Sequence, residues 1–329
     1  MIPGSWRVVM LSGAALVTQA PAVEQTVFPE RIGGMGCKVE QLTSAETAEY
    51  QVQGASRDGH WLAYTREHGK DEEGSPNRTV YLLNLDSGKS EALEEVMTNS
   101  GAFSPDGRYQ LSAIEVENGR TDIYEYELKT GRARPIAPHE QWDWLPSYSP
   151  DGSAIVFNSY RIGGQSEMYI HDRETGVLER LTHDPRYDAH GEFSPDGSKI
   201  LFHRMIAEHE AGGYDFELFV YDLETGQETQ LTTGSPHEES YASWAPDGDH
   251  VVFSSDQDGK PEKHNLYVLG PNGEITARLT RGDWKDSYAF WSRDGQYIYF
   301  NSERDGPSNV YRIPMDGLGC IKGDQQDLG

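Results

Sequence analysis

Short apolar runs and polar turns alternate along most of this chain, with a period that indicates strands. A representative stretch contains the apolar run 154–157, a polar loop, the alternating segment Glu167–Asp172, a Thr-Gly turn and a short segment that ends in Leu-Thr. Runs of four to eight residues with such alternation are typical of β-strands. We therefore predict an all-β fold in which each such stretch supplies four strands.

The same stretch recurs six times, and each copy centres on an Asp-Gly pair. The aspartates are Asp58, Asp106, Asp151, Asp196, Asp247 and Asp294, at spacings of 48, 45, 45, 51 and 47 residues. Four copies read Ser/Ala-Pro-Asp-Gly, whereas the first and the last read Ser-Arg-Asp-Gly. Asp-Gly between two β-rich runs predicts a hairpin, because glycine accepts the positive φ of a tight turn.

Six repeats of this length, each with four strands, predict a six-bladed β-propeller. The sixth repeat ends after its third strand, whereas residues 38–43 (KVEQLT) match the fourth strand that it lacks. We expect this N-terminal strand to complete the last blade, so that the propeller of residues 38–316 closes without an exposed sheet edge.

Closure of the ring would bring the two cysteines together. Cys37 directly precedes the closing strand, and Cys320 follows the blade that this strand completes. In an oxidising compartment we expect a disulfide between them, with a stabilisation of about 3 to 5 kcal/mol.

The N-terminal residues have the features of an export signal. Arg7 precedes the largely apolar stretch 8–17, and residues 18–22 offer small side chains for cleavage. We expect residues 1–22 to be a signal peptide, residues 317–329 to be a tail, and the mature protein to be periplasmic or secreted. No later segment has the roughly 18 apolar residues that a transmembrane helix needs.

The charge balance restricts the class of partner. The chain has 28 basic and 54 acidic residues, and its formal net charge is −26. Such a charge repels nucleic-acid backbones and anionic membrane surfaces. We therefore expect a protein partner, or a cationic or neutral ligand, and no nucleic acid.

The Ser-Pro-Asp-Gly copies, the Leu-Thr strand endings and the four-strand plan resemble the TolB-like six-bladed propeller family over about residues 38–316. The resemblance implies an exported bacterial propeller of a kind that mostly acts by binding proteins or other ligands. The namesake carries an additional α/β domain before its propeller, which this chain is expected to lack. No site residue is therefore transferred from the family.

Two columns of residues point to a candidate site at one end of the central channel. Eight residues before each Asp, the chain has Tyr50, Thr98, Asp143, Asp188, Glu239 and Asp286; six residues before, it has Val52, Ser100, Leu145, His190, Tyr241 and Tyr288. A two-residue Asp-Gly turn would pair His190 with His203, Tyr241 with Ser254 and Tyr288 with Asn301 across the hairpin. We therefore expect the two histidines to be neighbours.

We predict an exported binding module, rather than an enzyme, whose ligand face lies on blades three to six. The candidate ligand-binding residues are Asp143, Trp144, Asp188, His190, His203, Glu239, Tyr241, Asp286 and Tyr288. Three interpretations of this acidic and aromatic group remain open. It could bind a divalent metal such as manganese or calcium, with His190 and His203 as ligands; it could capture a cationic peptide or amine; or its carboxylates could be scaffolding.

An alternative function follows from a second resemblance. Some propellers with similar repeats resemble oligogalacturonate lyases, which use a manganese site with histidine ligands to cleave acidic oligosaccharides. In that interpretation His190, His203 and His209 would hold the metal, and Arg161 and Arg204 would bind a uronate carboxylate. Those lyases have seven repeats where this chain has six, and the chain's negative charge disfavours a polyanionic substrate.

Overall fold

Each Asp-Gly repeat folds into one sheet whose strands follow one another along the chain. The computed structural model describes residues 37–44, 49–70, 76–93, 99–116, 119–209, 213–233, 236–258 and 263–315. These residues form six sheets of four antiparallel strands each, and the first strand of every repeat lies innermost, against the first strands of its neighbours. The predicted six-bladed propeller is therefore confirmed.

The strands of each blade, from the channel outwards, have the following bounds. Blade 1 contains β2 (Glu49–Ala55), β3 (Trp61–Lys70), β4 (Pro76–Asn84) and β5 (Lys89–Ala92). Blade 2 contains β6 (Asn99–Phe103), β7 (Tyr109–Glu115), β8 (Thr121–Glu127) and β9 (Arg132–Pro135). Blade 3 contains β10 (Asp143–Tyr148), β11 (Ala154–Ser159), β12 (Glu167–Asp172) and β13 (Leu178–Arg180).

The second half of the ring repeats the plan. Blade 4 contains β14 (Asp188–Phe193), β15 (Lys199–Glu208), β16 (Tyr214–Asp222) and β17 (Glu228–Gln230). Blade 5 contains β18 (Ser240–Trp244), β19 (Val251–Ser255), β20 (Asn265–Leu269) and β21 (Ile275–Arg278). Blade 6 contains β22 (Asp286–Trp291), β23 (Tyr297–Ser302) and β24 (Asn309–Pro314), and its outer strand is β1 (Glu40–Gln41).

The closing strand lies where the sequence places it. Glu40 of β1 is the partner of Arg312 in β24, and the Arg312 Nε donates to the Glu40 carboxylate at 2.9 Å. Thr43 Oγ1 accepts a hydrogen bond from Val310 N at 2.9 Å, as Thr182 Oγ1 does from the corresponding strand of blade 3. Residues 1–22, Cys320 and the tail lie outside the described residues, so the signal peptide and the disulfide stay predictions.

A repeated aromatic side chain fills the space between the blades. Five second strands place an aromatic residue six positions after the Asp, and each is at most 1% exposed: Tyr64, Phe157, Phe202, Phe253 and Phe300. Burial of one such side chain contributes roughly 1.5 to 3 kcal/mol. The regular repeat of this residue therefore stabilises the packing of each blade on the next.

The Asp-Gly segments form hairpins, but their loops are longer than predicted. In blade 3, Ser149 N donates to Ala154 O at 2.9 Å, which leaves a four-residue loop instead of two residues. The Asp151 carboxylate accepts from Ser149 Oγ at 2.7 Å and from Ser153 N at 2.9 Å, and Gly152 has a φ of 75°. The serine and the aspartate of the motif thus tie the loop to itself, as in an Asx turn.

Candidate functional site

Three of the four predicted channel carboxylates are neutralised within the ring. They are fully buried, and each meets a guanidinium from its own blade. The pairs are Asp143–Arg161 at 2.7 Å, Asp188–Arg204 at 2.6 Å and Asp286–Arg304 at 3.1 Å. Burial raises the pKa of Asp143 and of Asp188 to about 6, while their arginines oppose the rise. Their charges are therefore satisfied by the protein itself.

Blade 5 departs from this arrangement. Gln257 occupies the position that Arg161 and Arg304 occupy in their blades, because each of the three donates its backbone N–H to the serine two residues earlier. Glu239 has no ion pair among the described residues, and its Oε2 is buried without a hydrogen bond. Burial, together with the neighbouring Glu217 carboxyl, raises the pKa of Glu239 to about 7. Glu239 is thus the one acid of the column without an arginine in the described part of the chain.

Histidine and tyrosine side chains form a cluster between these carboxylates and the channel. The rings of His190 and His203 stack with centroids 6.1 Å apart, so the expected neighbourhood of the two histidines is confirmed. Tyr241 contacts both rings edge-on, and its centroid lies 3.9 Å from that of Tyr288. Burial lowers the pKa of His190 to about 4 and that of His203 to about 3. Both imidazoles are neutral at pH 7.

The predicted register of this cluster was wrong by one residue. His203 has Ala189 as its Cα partner, Ser254 has Ser240, and Asn301 has Ser287. The cause is a β-bulge in the inner strands of blades 3 to 6, with a positive φ at the residue six before the Asp: 50° at Leu145, 61° at His190, 50° at Tyr241 and 53° at Tyr288. A bulge adds one residue to one strand and re-aims its side chain.

A neighbouring blade holds the bulge in place. In blade 4, the side chain of Asn158 from blade 3 accepts a hydrogen bond from His190 N at 3.0 Å and donates to Asp188 O at 2.7 Å. Asn301 of blade 6 accepts from Val52 N at 2.9 Å in the same way. These contacts satisfy backbone groups that the interrupted ladder leaves without a strand partner.

The remaining predicted residues lie apart from one another. Trp144 packs edge-on against Tyr160 and Tyr187, with centroids 5.6 and 6.3 Å away. His209, the third histidine of the lyase interpretation, contacts the Asp215 carboxylate at 2.7 Å. Within the described residues, no group of three or more histidine, cysteine, aspartate or glutamate side chains is arranged to hold a metal ion.

A cavity of about 340 Å³ occupies the opposite end of the channel, which adjoins the Asp-Gly loops. Its inner end is formed by Leu145, His190 and Tyr288, and its mouth by prolines and an arginine: Pro150, Pro195, Pro246 and Arg293. The walls include the aromatic residues that lie three before the Asp in blades 2 to 6: Phe103, Tyr148, Phe193, Trp244 and Trp291. This volume is in the range of ligand sites, which are usually concave and mostly apolar.

The sequence prediction placed the ligand face at the other end of the channel. Of the nine predicted residues, only His190 and Tyr288 line this cavity. Two cavity residues that the prediction missed are Glu192, four residues before its Asp, and Arg293, directly before its Asp. The substitution of arginine for the proline of the motif was the available signal for Arg293.

Comparisons with known proteins agree with the propeller fold. The family described as the TolB beta propeller domain matches residues 52–262 and 217–322. The chain belongs to this family. TolB of Acinetobacter baumannii is 24% identical with a TM-score of 0.58, and the match covers 82% of this chain and 58% of that protein. This TolB-like propeller thus spans less than two thirds of that relative's length.

Two further solved structures share the fold. A putative TolB of Agrobacterium tumefaciens is 21% identical with a TM-score of 0.60, covering 86% of this chain and 100% of that one. An oligogalacturonate lyase in complex with manganese is 17% identical with a TM-score of 0.55, covering 86% of this chain and 94% of that one. In the described part of the TolB-like propeller, no helix is both long and apolar enough to cross a membrane.

Proposed function

We propose that this TolB-like propeller is an exported binding protein that holds a segment of a partner protein in its central channel. The observation that carries the proposal is the cavity at the Asp-Gly end, to which residues of all six repeats contribute. Its apolar walls would bury the side chains of an inserted segment, and each buried apolar side chain would contribute to affinity. Membership of the TolB propeller family supports a binding role.

The entry side differs from the ligand face expected from the sequence. At the other end, three carboxylates are held by arginines, and the bulge residues His190 and Tyr288 end the cavity. A partner segment would therefore enter between the Asp-Gly loops and stop against the bulge residues. His190 and Tyr288 remain candidate contacts, whereas Asp143, Asp188 and Asp286 would act by positioning the inner strands.

A substitution that fills the cavity tests this proposal. Ser147 lines the cavity and is half-buried, so Ser147→Trp should occupy the space that a partner segment needs. Val177 lies on an outer turn of the same blade and is 50% exposed, so Val177→Trp is the matched control. Wild type and the control should capture the same partner from envelope extract, and Ser147→Trp should lose it.

The captured partner should then be purified and titrated by calorimetry. We expect Ser147→Trp to weaken binding at least about tenfold, with an unfolding temperature close to that of wild type. Equal affinity of the two tryptophan variants would exclude the channel as the binding site.

A manganese-dependent enzyme that acts on acidic oligosaccharides is the second candidate function. The observations that favour it are the stacked pair His190 and His203 and the likeness to the lyase solved with manganese. It predicts stoichiometric manganese in the purified protein and a rise in ultraviolet absorbance as unsaturated uronates form. Protein without bound manganese that leaves the absorbance unchanged after manganese is added would reject this candidate.

A further inference from the structure

The residue directly before each Asp divides the ring into two parts. Blades 2 to 5 carry proline there, whereas blades 1 and 6 carry Arg57 and Arg293. The inner strands of blades 1 and 6 lie side by side because the ring closes between them. The two arginines therefore lie on adjacent Asp-Gly loops, and of the two Arg293 lines the cavity.

Arg293 has no counter-ion among the described residues. Arg293 lines the cavity, and its side chain makes no hydrogen bond or ion pair with any described residue. The Arg293 side chain is exposed, so an anion that enters the cavity can reach its guanidinium. The charges of Arg161, Arg204 and Arg304 are each met by a carboxylate.

The protein does not provide that anion from inside the cavity. Glu192 is the one carboxyl among the residues that line it, and Glu192 accepts a hydrogen bond from Ser243 Oγ at 3.2 Å. Burial raises the pKa of Glu192 to about 8, so most Glu192 side chains carry a proton at pH 7. The Arg57 guanidinium donates a hydrogen bond to Pro105 O at 3.3 Å. The positive charge of the mouth is thus left for a ligand.

The aspartates of the loops limit how much negative charge a ligand can carry. Hydrogen bonds within the motif lower the pKa of Asp58, Asp151 and Asp196, so these carboxylates are ionised and surround the mouth. They would repel a polyanion, whereas a single carboxylate can pair with an arginine of these loops. A single carboxylate next to an apolar group matches both the charge and the walls of the cavity.

We infer that the mouth of the channel recognises one carboxylate of the bound segment, with Arg293 as its ion-pair partner and Arg57 as a second positive charge. The inference rests on the proposed function, since it specifies the chemistry of the segment that the channel holds. The carboxylate would come from the C-terminus of the partner or from an acidic side chain next to an apolar residue. Arginine forms forked hydrogen bonds with a carboxylate, which fixes the orientation of the segment as well as its charge.

Short peptides test the inference directly. The probes are N-acetyl-Leu-Phe with a free carboxylate, the same peptide as its C-terminal amide, and N-acetyl-Glu-Phe amide, each titrated by NMR or calorimetry. For wild type we expect the free acid to bind at least about tenfold more tightly than the amide. Arg293→Gln should abolish this ratio, and Arg293→Lys should retain part of it. Arg132→Gln, which removes the same charge from the exposed outer strand of blade 2, should leave the ratio unchanged.

The outcomes separate the inference from the proposed function. If acid and amide bind equally, or if the ratio survives in Arg293→Gln, the carboxylate inference is wrong while channel binding stands. If none of the three peptides binds, both are contradicted. If N-acetyl-Glu-Phe amide matches the free acid, the source is an acidic side chain; if it binds as weakly as the neutral amide, the source is a C-terminus. Thermal unfolding of each variant shows that the fold is intact.

Discussion

The two ends of the channel are built from the same repeats, yet they differ in whether their charged side chains are paired. At the end with the bulges, Asp188 and its counterparts in blades 3 and 6 are buried against arginines of their own blade. At the Asp-Gly end, Arg293 lines an accessible cavity without a carboxylate partner among the described residues. The difference shows that a concentration of charged residues indicates a ligand site only where the protein leaves a charge unmatched.

Blade 5 provides a second contrast within the bulge end itself. Glu239 stands where blades 3, 4 and 6 have an arginine-bound aspartate, but Gln257 occupies the position that Arg161 and Arg304 have in blades 3 and 6. Its protonated form is favoured because burial is not offset by a cation. The same column therefore contains three acids whose cost of burial is partly offset by an arginine and one acid for which no described cation offsets it.

The largest expected effect comes from breaking a matched charge. Arg204 is 3% exposed and donates to Asp188 and to Glu228. Arg204→Gln would leave the Asp188 carboxylate buried without a cation, which should cost about 3 to 5 kcal/mol in the free energy of unfolding. Urea unfolding at pH 7 measures this loss.

The control for Arg204 removes the same charge where it is not buried. Arg132→Gln, on the exposed strand β9, should change the free energy of unfolding by no more than about 0.5 kcal/mol. A loss of less than about 1 kcal/mol in Arg204→Gln would show that the buried pairs do not hold the inner strands. The contrast between the two ends would then disappear.

Glu239→Gln should change the free energy of unfolding in the opposite direction and stabilise the protein. The pKa of Glu239 is raised from 4.5 to about 7 in the folded protein, so the folded state binds the proton more tightly than the unfolded state. Stability is therefore lost as the pH rises from about 4.5 to 7, and the loss is complete above that range. Removing the acid should stabilise the protein by about 1 to 3 kcal/mol at pH 8 and by little at pH 4.5.

The matched variant for Glu239 is Asp188→Asn, which makes the same change from acid to amide where an arginine is present. It should gain less stability at pH 8 than Glu239→Gln does, because Arg204 already offsets part of the cost of burying the Asp188 charge and would lose one of its anions. Unfolding curves at both pH values compare the two variants. A destabilised Glu239→Gln at pH 8 would mean that an ionised Glu239 has a cation outside the described residues.

The fold was predictable because its determinants recur in the sequence, whereas the register and the ion pairs at the candidate site were not. The Asp-Gly spacing and the Leu-Thr ending at Thr43 place the blades and the closing strand without any three-dimensional information. The bulge that moves His190 out of register depends on hydrogen bonds from Asn158 in the preceding blade, so no single repeat reveals it. The sequence did not reveal the ion pairs either, because the arginine does not occupy the same position in every blade. Arg204 lies directly opposite Asp188, but Arg161 lies two residues beyond the partner of Asp143.

The smallest expected effect is a pH dependence at the open end. Glu192, with a pKa of about 8, would become ionised between pH 7 and pH 9 and would then offer Arg293 an internal anion. The other titratable groups that face the cavity hold their charge over this range: His190 stays neutral because burial lowers its pKa to about 4, and burial raises the pKa of Tyr148. Arg293 stays protonated, as arginines do. Affinity for N-acetyl-Leu-Phe should therefore fall as the pH rises.

We expect the fall between pH 6.5 and pH 9 to be about threefold to tenfold, since one new charge near Arg293 offsets part of its attraction for the ligand. Glu192→Gln cannot ionise, so the variant should bind the peptide with the same affinity at both pH values. The C-terminal amide should show no pH dependence with either protein, because it has no carboxylate to compete with Glu192. A fall that persists in Glu192→Gln would assign the effect to another group and would remove Glu192 as a regulator of the positive charge at this end.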